Sequence, residues 1–212
     1  MATTEPTVVI VDDDDDMRRS MVRMITSVGR KVDAYSSPNE FLAAFHPDDC
    51  SCLIFDLRMP NMSGLQLFER MRKTYGYVAP VIFVTGFGDI EGAVRAMRDG
   101  AWDFMEKPFS RTHLLDRVNE AIEFDLAMRD NQAERKTIEE RIEFLTARER
   151  EILDLIMAGE TTKDIAKQLG VSTKTVEGHR TNLFQKMDVN SLAQLSLTMA
   201  KLTVLQKAMA GN

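Results

Sequence analysis

Over about the first 125 residues, short apolar runs alternate with stretches whose apolar positions recur every three or four residues. The runs fall at 8–11 (Val-Val-Ile-Val), 52–55 and 81–84, with strand-like segments of mixed polarity at 31–35 and 102–105. Runs this short, bounded by Asp, Gly or Pro, predict strands, the most apolar of them buried on both faces. After the first run, Met17, Met21, Met24, Ile25 and Val28 mark one helical face, which Gly29 ends. Ser37-Pro38-Asn39-Glu40 opens a second helix with an N-cap, Pro at the first helical position and Glu at the third. Further helices are predicted near 63–74, near 90–98 and from Arg111 onward. Strand and helix in strict alternation predict an α/β fold, a doubly wound five-stranded parallel sheet.

The pattern then changes. Leu114, Leu115, Val118, Ile122 and Leu126 make an amphipathic helix, and residues 127–143 contain no Gly or Pro to end it. Ile138, Ile142 and Leu145 continue a thin apolar stripe. Residues 126–144 read as a helical linker, either paired with a second copy as a short coiled coil or solvated as a connector. Thr146-Ala147-Arg148-Glu149 carries a capping-box pattern and starts a compact all-α module over 145–208. A second short helix from Thr161-Thr162 and a third at about 173–187, joined by a tight turn at Gly170-Val171-Ser172, match a helix-turn-helix plan. A last helix follows from about Ser191.

A 44% hydrophobic and 28% charged composition is that of a soluble globular protein. No signal peptide and no membrane-spanning run is expected, so a cytoplasmic protein without membrane contact is expected. Cys50 and Cys52, the two cysteines, read as core residues of a reducing compartment rather than metal ligands. A formal charge of −6 argues against coating nucleic acid by bulk charge, yet leaves room for a small DNA-reading module.

In an open parallel sheet the carboxyl ends of the strands share one crevice. Here those ends carry Asp12 and Asp13, Asp56, Thr85 and Lys107. Three carboxylates together repel one another, and a hard cation such as Mg²⁺ relieves the repulsion. With a hydroxyl and a lysine added, the set suits phosphoryl transfer onto an aspartate.

Asp12-Asp13, Asp56 within D-L-R-M-P-x-M-S-G, Thr85-Gly86 within T-G-x-G-D, and Lys107-Pro108-Phe109 resemble the receiver domain of two-component response regulators, a flavodoxin-like fold, over residues 6–125. The stretch from L-T-A-R-E-R-E-I-L to F-Q-K-M resembles the LuxR-type helix-turn-helix, and the two together resemble the NarL/FixJ class, nearest its FixJ-like branch. The resemblance implies a transcription regulator rather than an enzyme, phosphorylated on Asp56 by a sensor histidine kinase. It implies Mg²⁺ held by Asp12, Asp13, Asp56 and the Arg58 backbone carbonyl, with Thr85 and Lys107 binding the phosphoryl group. It places the switch aromatic at Phe104 and a cis bond at Lys107–Pro108. It also implies a homodimer on phosphorylation, binding to double-stranded DNA and contact with RNA polymerase.

On the third helix of the module, Val176, Leu183 and Met187 must face inward, which turns Lys174, Glu177, Gly178 and Thr181 outward. The resemblance assigns base contacts to Glu177, Gly178 and Thr181. Thr162, Lys163, Lys174, Thr175 and Arg180 complete the expected DNA contacts, mainly to the backbone. The opposing view of Glu177 is a solvated acid that repels DNA. A rival for the first half is a Mg²⁺-dependent phosphohydrolase of the haloacid-dehalogenase type. Such enzymes carry a second Asp two residues after the nucleophile, where this chain has Arg58.

Overall fold

The computed structural model describes residues 5–47, 50–76, 78–86 and 90–210, and the chain divides into two units, 1–128 and 129–212. In the first, strands β1 (Thr7–Val11), β2 (Lys31–Tyr35), β3 (Cys52–Asp56), β4 (Val81–Thr85) and β5 (Asp103–Glu106) form one parallel sheet in the order β2-β1-β3-β4-β5. The inner strands β1, β3 and β4 are buried along their whole length, whereas edge strands β2 and β5 are partly exposed. That difference follows composition, since only a fully apolar run tolerates cover on both faces. The fifth strand begins one residue later than its sequence segment predicts, because Trp102 serves as the approach, its N–H donating to the Val81 carbonyl.

Alternation along the strands sends side chains to two cores. Val9, Val11, Leu53, Phe55, Val81 and Phe83 pack with Phe41 of α2 (Pro38–Ala44), Leu67, Phe68 and Met71 of α3 (Gly64–Tyr75) and Ala96 of α4 (Ile90–Arg98). Val8, Ile10, Cys52, Ile54, Ile82, Val84 and Met105 pack with Met21 and Ile25 of α1 (Asp15–Thr26) and Leu114, Val118 and Ile122 of α5 (Arg111–Glu143). Cys50 lies in the first core and Cys52 in the second, both as free thiols. Edge-to-face contacts of Phe55 with Phe41 and Phe83, at 5.6 and 6.2 Å, stiffen the layer beneath Asp56.

The division between units falls inside α5. In the second unit α6 (Ala147–Met157), α7 (Thr162–Leu169), α8 (Thr173–Lys186) and α9 (Leu192–Ala210) enclose a third core. Ile152, Ile165, Val176, Leu183, Met187 and Leu195 are at its centre. Ile138 and Leu145 are buried in this core and Ile142 packs against it. The thin stripe on the linker therefore has its partner within the chain, in place of the coiled coil or solvated connector read from the sequence. Buried aliphatic side chains each contribute about 1.5–3 kcal/mol, which makes the end of α5 an integral part of this unit.

Candidate functional site

The parallel register of β1, β3, β4 and β5 brings Asp12, Asp56, Thr85 and Lys107 to one edge of the sheet. Carboxylate oxygens of Asp12, Asp13 and Asp56 all lie within 4.8 Å of one another. Asp12 and Asp56 are buried, and Asp13 is exposed. Asp14 caps α1, its side chain accepting from the Asp16 and Met17 N–H groups, and Asp15 and Asp16 occupy the first turn. Only the first two of five consecutive aspartates are thus left for the edge.

Lys107 Nζ reaches between the buried acids, 2.9 Å from Asp12 Oδ2 and 3.0 Å from Asp56 Oδ2. Burial pushes the Asp12 carboxyl above its ordinary range, against the opposing pull of Lys107, and the Asp56 charge adds to the rise. Burial by itself would lower Lys107, but hydrogen bonds and charge from Asp12 and Asp56 outweigh it and raise the ammonium. The backbone N–H of Asp14 donates to Asp12 Oδ1 at 2.8 Å, and that of Arg58 to Asp56 Oδ1 at 3.2 Å. Arg18, which the sequence reading missed, donates to the Asp12 carbonyl at 2.7 Å. Its spacing of six residues carries no periodic signal that would have revealed it.

The loop after Asp56 is set by Gly64. A Cβ there would lie 2.2 Å from the Asp56 carbonyl oxygen, so only glycine lets α3 begin this close. Ser63 and Gln66 form the capping box that starts the helix. On the other side, the Lys107 N–H donates to the Thr85 carbonyl at 2.8 Å, and the Lys107–Pro108 bond is cis. Thr85 is buried, its hydroxyl donating to the Gly86 carbonyl at 3.3 Å. Residues 87–89 of the T-G-x-G-D stretch lie outside the described residues. Phe104 is 41% exposed and, with Thr85, Ala93, Val94 and Met97, borders a cavity of about 410 Å³.

Converging hard oxygen donors, two of them buried, fit a small divalent cation better than a soft one. Arg58 is exposed at the position where a phosphohydrolase would need its second acid.

In the second unit α7 and α8 meet at Gly170, which takes the left-handed conformation that ends α7. Ser172 caps α8, accepting from the Thr175 N–H, so Thr175 sits in the first turn. Lys163, Lys174, Thr175, Glu177, Gly178 and Thr181 are exposed, and Val176 and Leu183 are buried opposite. The Thr181 hydroxyl donates to the Glu177 carbonyl at 3.0 Å. Arg180 lies over the Phe184 ring and donates to Thr162 Oγ1 at 3.4 Å, which brings a cation to the start of α7. An acidic edge with a hydroxyl and a lysine, followed by a helix-turn-helix unit, is the arrangement of a signalling regulator that binds DNA.

Known proteins agree with that class. Residues 8–119 match the response regulator receiver domain, and residues 143–199 match the bacterial regulatory proteins of the luxR family. The chain is 40% identical over 193 residues to the transcriptional regulatory protein FixJ of Rhizobium meliloti, covering 91% of this chain and 94% of that one. It is 39% identical over 194 residues to nodulation protein W of Bradyrhizobium diazoefficiens, covering 92% and 85%. The solved structure of the response regulator StyR superposes with a TM-score of 0.86 at 36% identity, covering 93% of this chain and 99% of that one. Full-length FixJ from B. japonicum gives 0.57 at 32% identity, covering 95% and 99%. The chain belongs to the NarL/FixJ class of response regulators, and it is a DNA-binding transcriptional regulator of a two-component system with a sensor kinase as its partner.

Proposed function

We propose that Asp56 is the phosphoacceptor and that Asp12, Asp13, Asp56 and the Arg58 carbonyl hold Mg²⁺ beside it. The observation that carries this reading is the Lys107 ammonium clamped between Asp12 and Asp56, with three carboxylates in reach of one point. An Asp56 oxygen attacks phosphorus as the P–N bond to the kinase histidine breaks, and the electron pair stays on the imidazole. Mg²⁺, when bound, offsets the charge of the phosphoryl oxygens. Lys107 then exchanges a carboxylate oxygen for a phosphoryl oxygen, and Thr85 turns its hydroxyl toward another. Phe104 follows into the cavity beside Thr85, which has room for the ring.

That movement reshapes the surface of α4 and β5 and favours a homodimer. The dimer presents two copies of α8 to successive major grooves, with Glu177, Gly178 and Thr181 at base edges. Thr162, Lys163, Lys174, Thr175 and Arg180 hold the phosphate backbone. Action is cytoplasmic, at promoters and with RNA polymerase; among the described residues no helix is long and apolar enough to cross a membrane. The chain acts here as a regulator and not as an enzyme.

The test is labelling. With Mg²⁺ and acetyl phosphate, the protein gains one acyl phosphate, located by borohydride reduction and mass spectrometry. Asp56→Asn abolishes it. Labelling of Asp56→Asn at the wild-type level would place the acceptor elsewhere.

A further inference from the structure

The C-terminal end of α8 is held by two sets of polar ties, and none involves the residues assigned to DNA. Arg141, in the last turn of α5, donates from Nη1 to the Met187 carbonyl at 3.2 Å and from Nη2 to Asp188 Oδ2 at 2.8 Å. Lys186 Nζ donates to buried Glu149 at 2.6 Å and to the Phe144 carbonyl at 3.3 Å.

Asp188 follows Met187, the C-cap of α8, with φ of 54°, in the left-handed region. Helices commonly place glycine at this position, because glycine enters it without a steric cost. The chain uses aspartate, and its carboxylate grips Arg141. Turn geometry alone would favour glycine, so the grip gives the residue a purpose that the turn does not.

The pair is also a poor stabiliser. Asp188 is 78% exposed and Arg141 33%, and ion pairs in that setting contribute little. Its directional character is a better account. Packing of Val176, Leu183 and Met187 seats the apolar face of α8 on the core, and the Arg141 hydrogen bonds add a directional restraint at its C-terminal end.

We propose that Arg141 and Asp188 are positioning residues for base reading, setting the roll of α8 from its C-terminal end. This rests on the assignment of α8 as the reading helix. The grip holds Glu177 and Thr181 in one register against the base edges.

The experiment uses the full chain and a duplex selected by the wild type from random-sequence DNA. Binding is measured across all single-base variants of that duplex, with thermal melting in parallel. Asp188→Gly is expected to melt at or above the wild type, since glycine suits the left-handed position. It is nevertheless expected to lose at least fivefold in discrimination between bases. Arg141→Gln loses discrimination likewise, and Arg141→Lys recovers part of it. Wild-type base preferences in Asp188→Gly would overturn the proposal, whatever happens to overall affinity. Glu177→Ala is the control. If Glu177→Ala relaxes preference and Asp188→Gly does not, the positioning role alone is wrong. If both leave preference intact, the assignment of α8 falls as well.

Discussion

Gly178 is the residue that the protein itself explains least. A glycine inside a helix costs about 1 kcal/mol relative to alanine. At Gly64 the cost has a reason within the chain, since a Cβ would strike the Asp56 carbonyl oxygen at 2.2 Å. At Gly178 a Cβ would meet nothing within 4 Å, and the backbone is ordinary helix. In the proposed DNA-reading role the bare backbone there serves close approach to a groove. Gly178→Ala should therefore stabilise the fold by about 1 kcal/mol in denaturant titration while weakening operator binding several-fold. A variant that is stabilised and still binds like the wild type would remove Gly178 from the interface. The acidic edge was legible at this scale because parallel strands bring their carboxyl ends together, so Asp12, Asp56, Thr85 and Lys107 could be grouped from sequence order alone. The bridge that Lys107 makes between Asp12 and Asp56 was not legible. It depends on side-chain reach across three strand ends, which no spacing encodes.

Glu149 shows how an element can be read correctly and still understated. The capping box of α6 is present, Thr146 and Glu149 each satisfying the other's backbone N–H. Its second role, the 2.6 Å contact with Lys186, joins residues far apart in sequence and left no pattern. The linker stripe of Ile138, Ile142 and Leu145 was similarly visible, but periodicity names a face and not its partner. Burial works to raise the Glu149 carboxyl, but the Lys186 contact and the Thr146 hydrogen bonds outweigh it and hold it below its ordinary value of 4.5. A depressed acid stabilises the fold fully above that ordinary value, and the contribution is lost as pH falls through the depressed one. Glu149→Gln should then cost about 1–3 kcal/mol at neutral pH. The gap between wild type and variant should shrink as pH drops below 4.5, followed by urea unfolding at several pH values. A gap that is constant from pH 7 to pH 3 would show that Glu149 acts by shape and not by charge.

For the whole molecule, the proposed phosphorylation of Asp56 has a consequence for association that the surface of α4 and β5 lets one test. Val94, Met97 and Phe104 are exposed at 46%, 42% and 41% around the cavity beside Thr85, an apolar area on α4 and β5. Exposed apolar clusters of this kind mark interaction surfaces. If phosphorylation draws Phe104 into the cavity, the surface becomes flatter and better able to meet its own copy. The energy needed is modest, since a hundredfold tighter dimer requires only about 2.7 kcal/mol of preference for the switched state. A second apolar stripe, with Leu197 69% and Val204 65% exposed, lies on α9, so the second unit carries its own candidate surface for a partner copy on DNA. The two can be separated by substitution. Val94→Asp introduces a charge on the first surface without touching Asp56, Thr85 or Lys107. Sedimentation velocity of the wild type should shift from monomer toward dimer on treatment with Mg²⁺ and acetyl phosphate. Val94→Asp should take up the same label and stay monomeric. Leu197→Asp should still dimerise in solution when labelled but bind a two-site operator less tightly. Identical sedimentation of labelled and unlabelled wild type would break the link between Asp56 and assembly, and a labelled Val94→Asp dimer would move the interface away from α4 and β5.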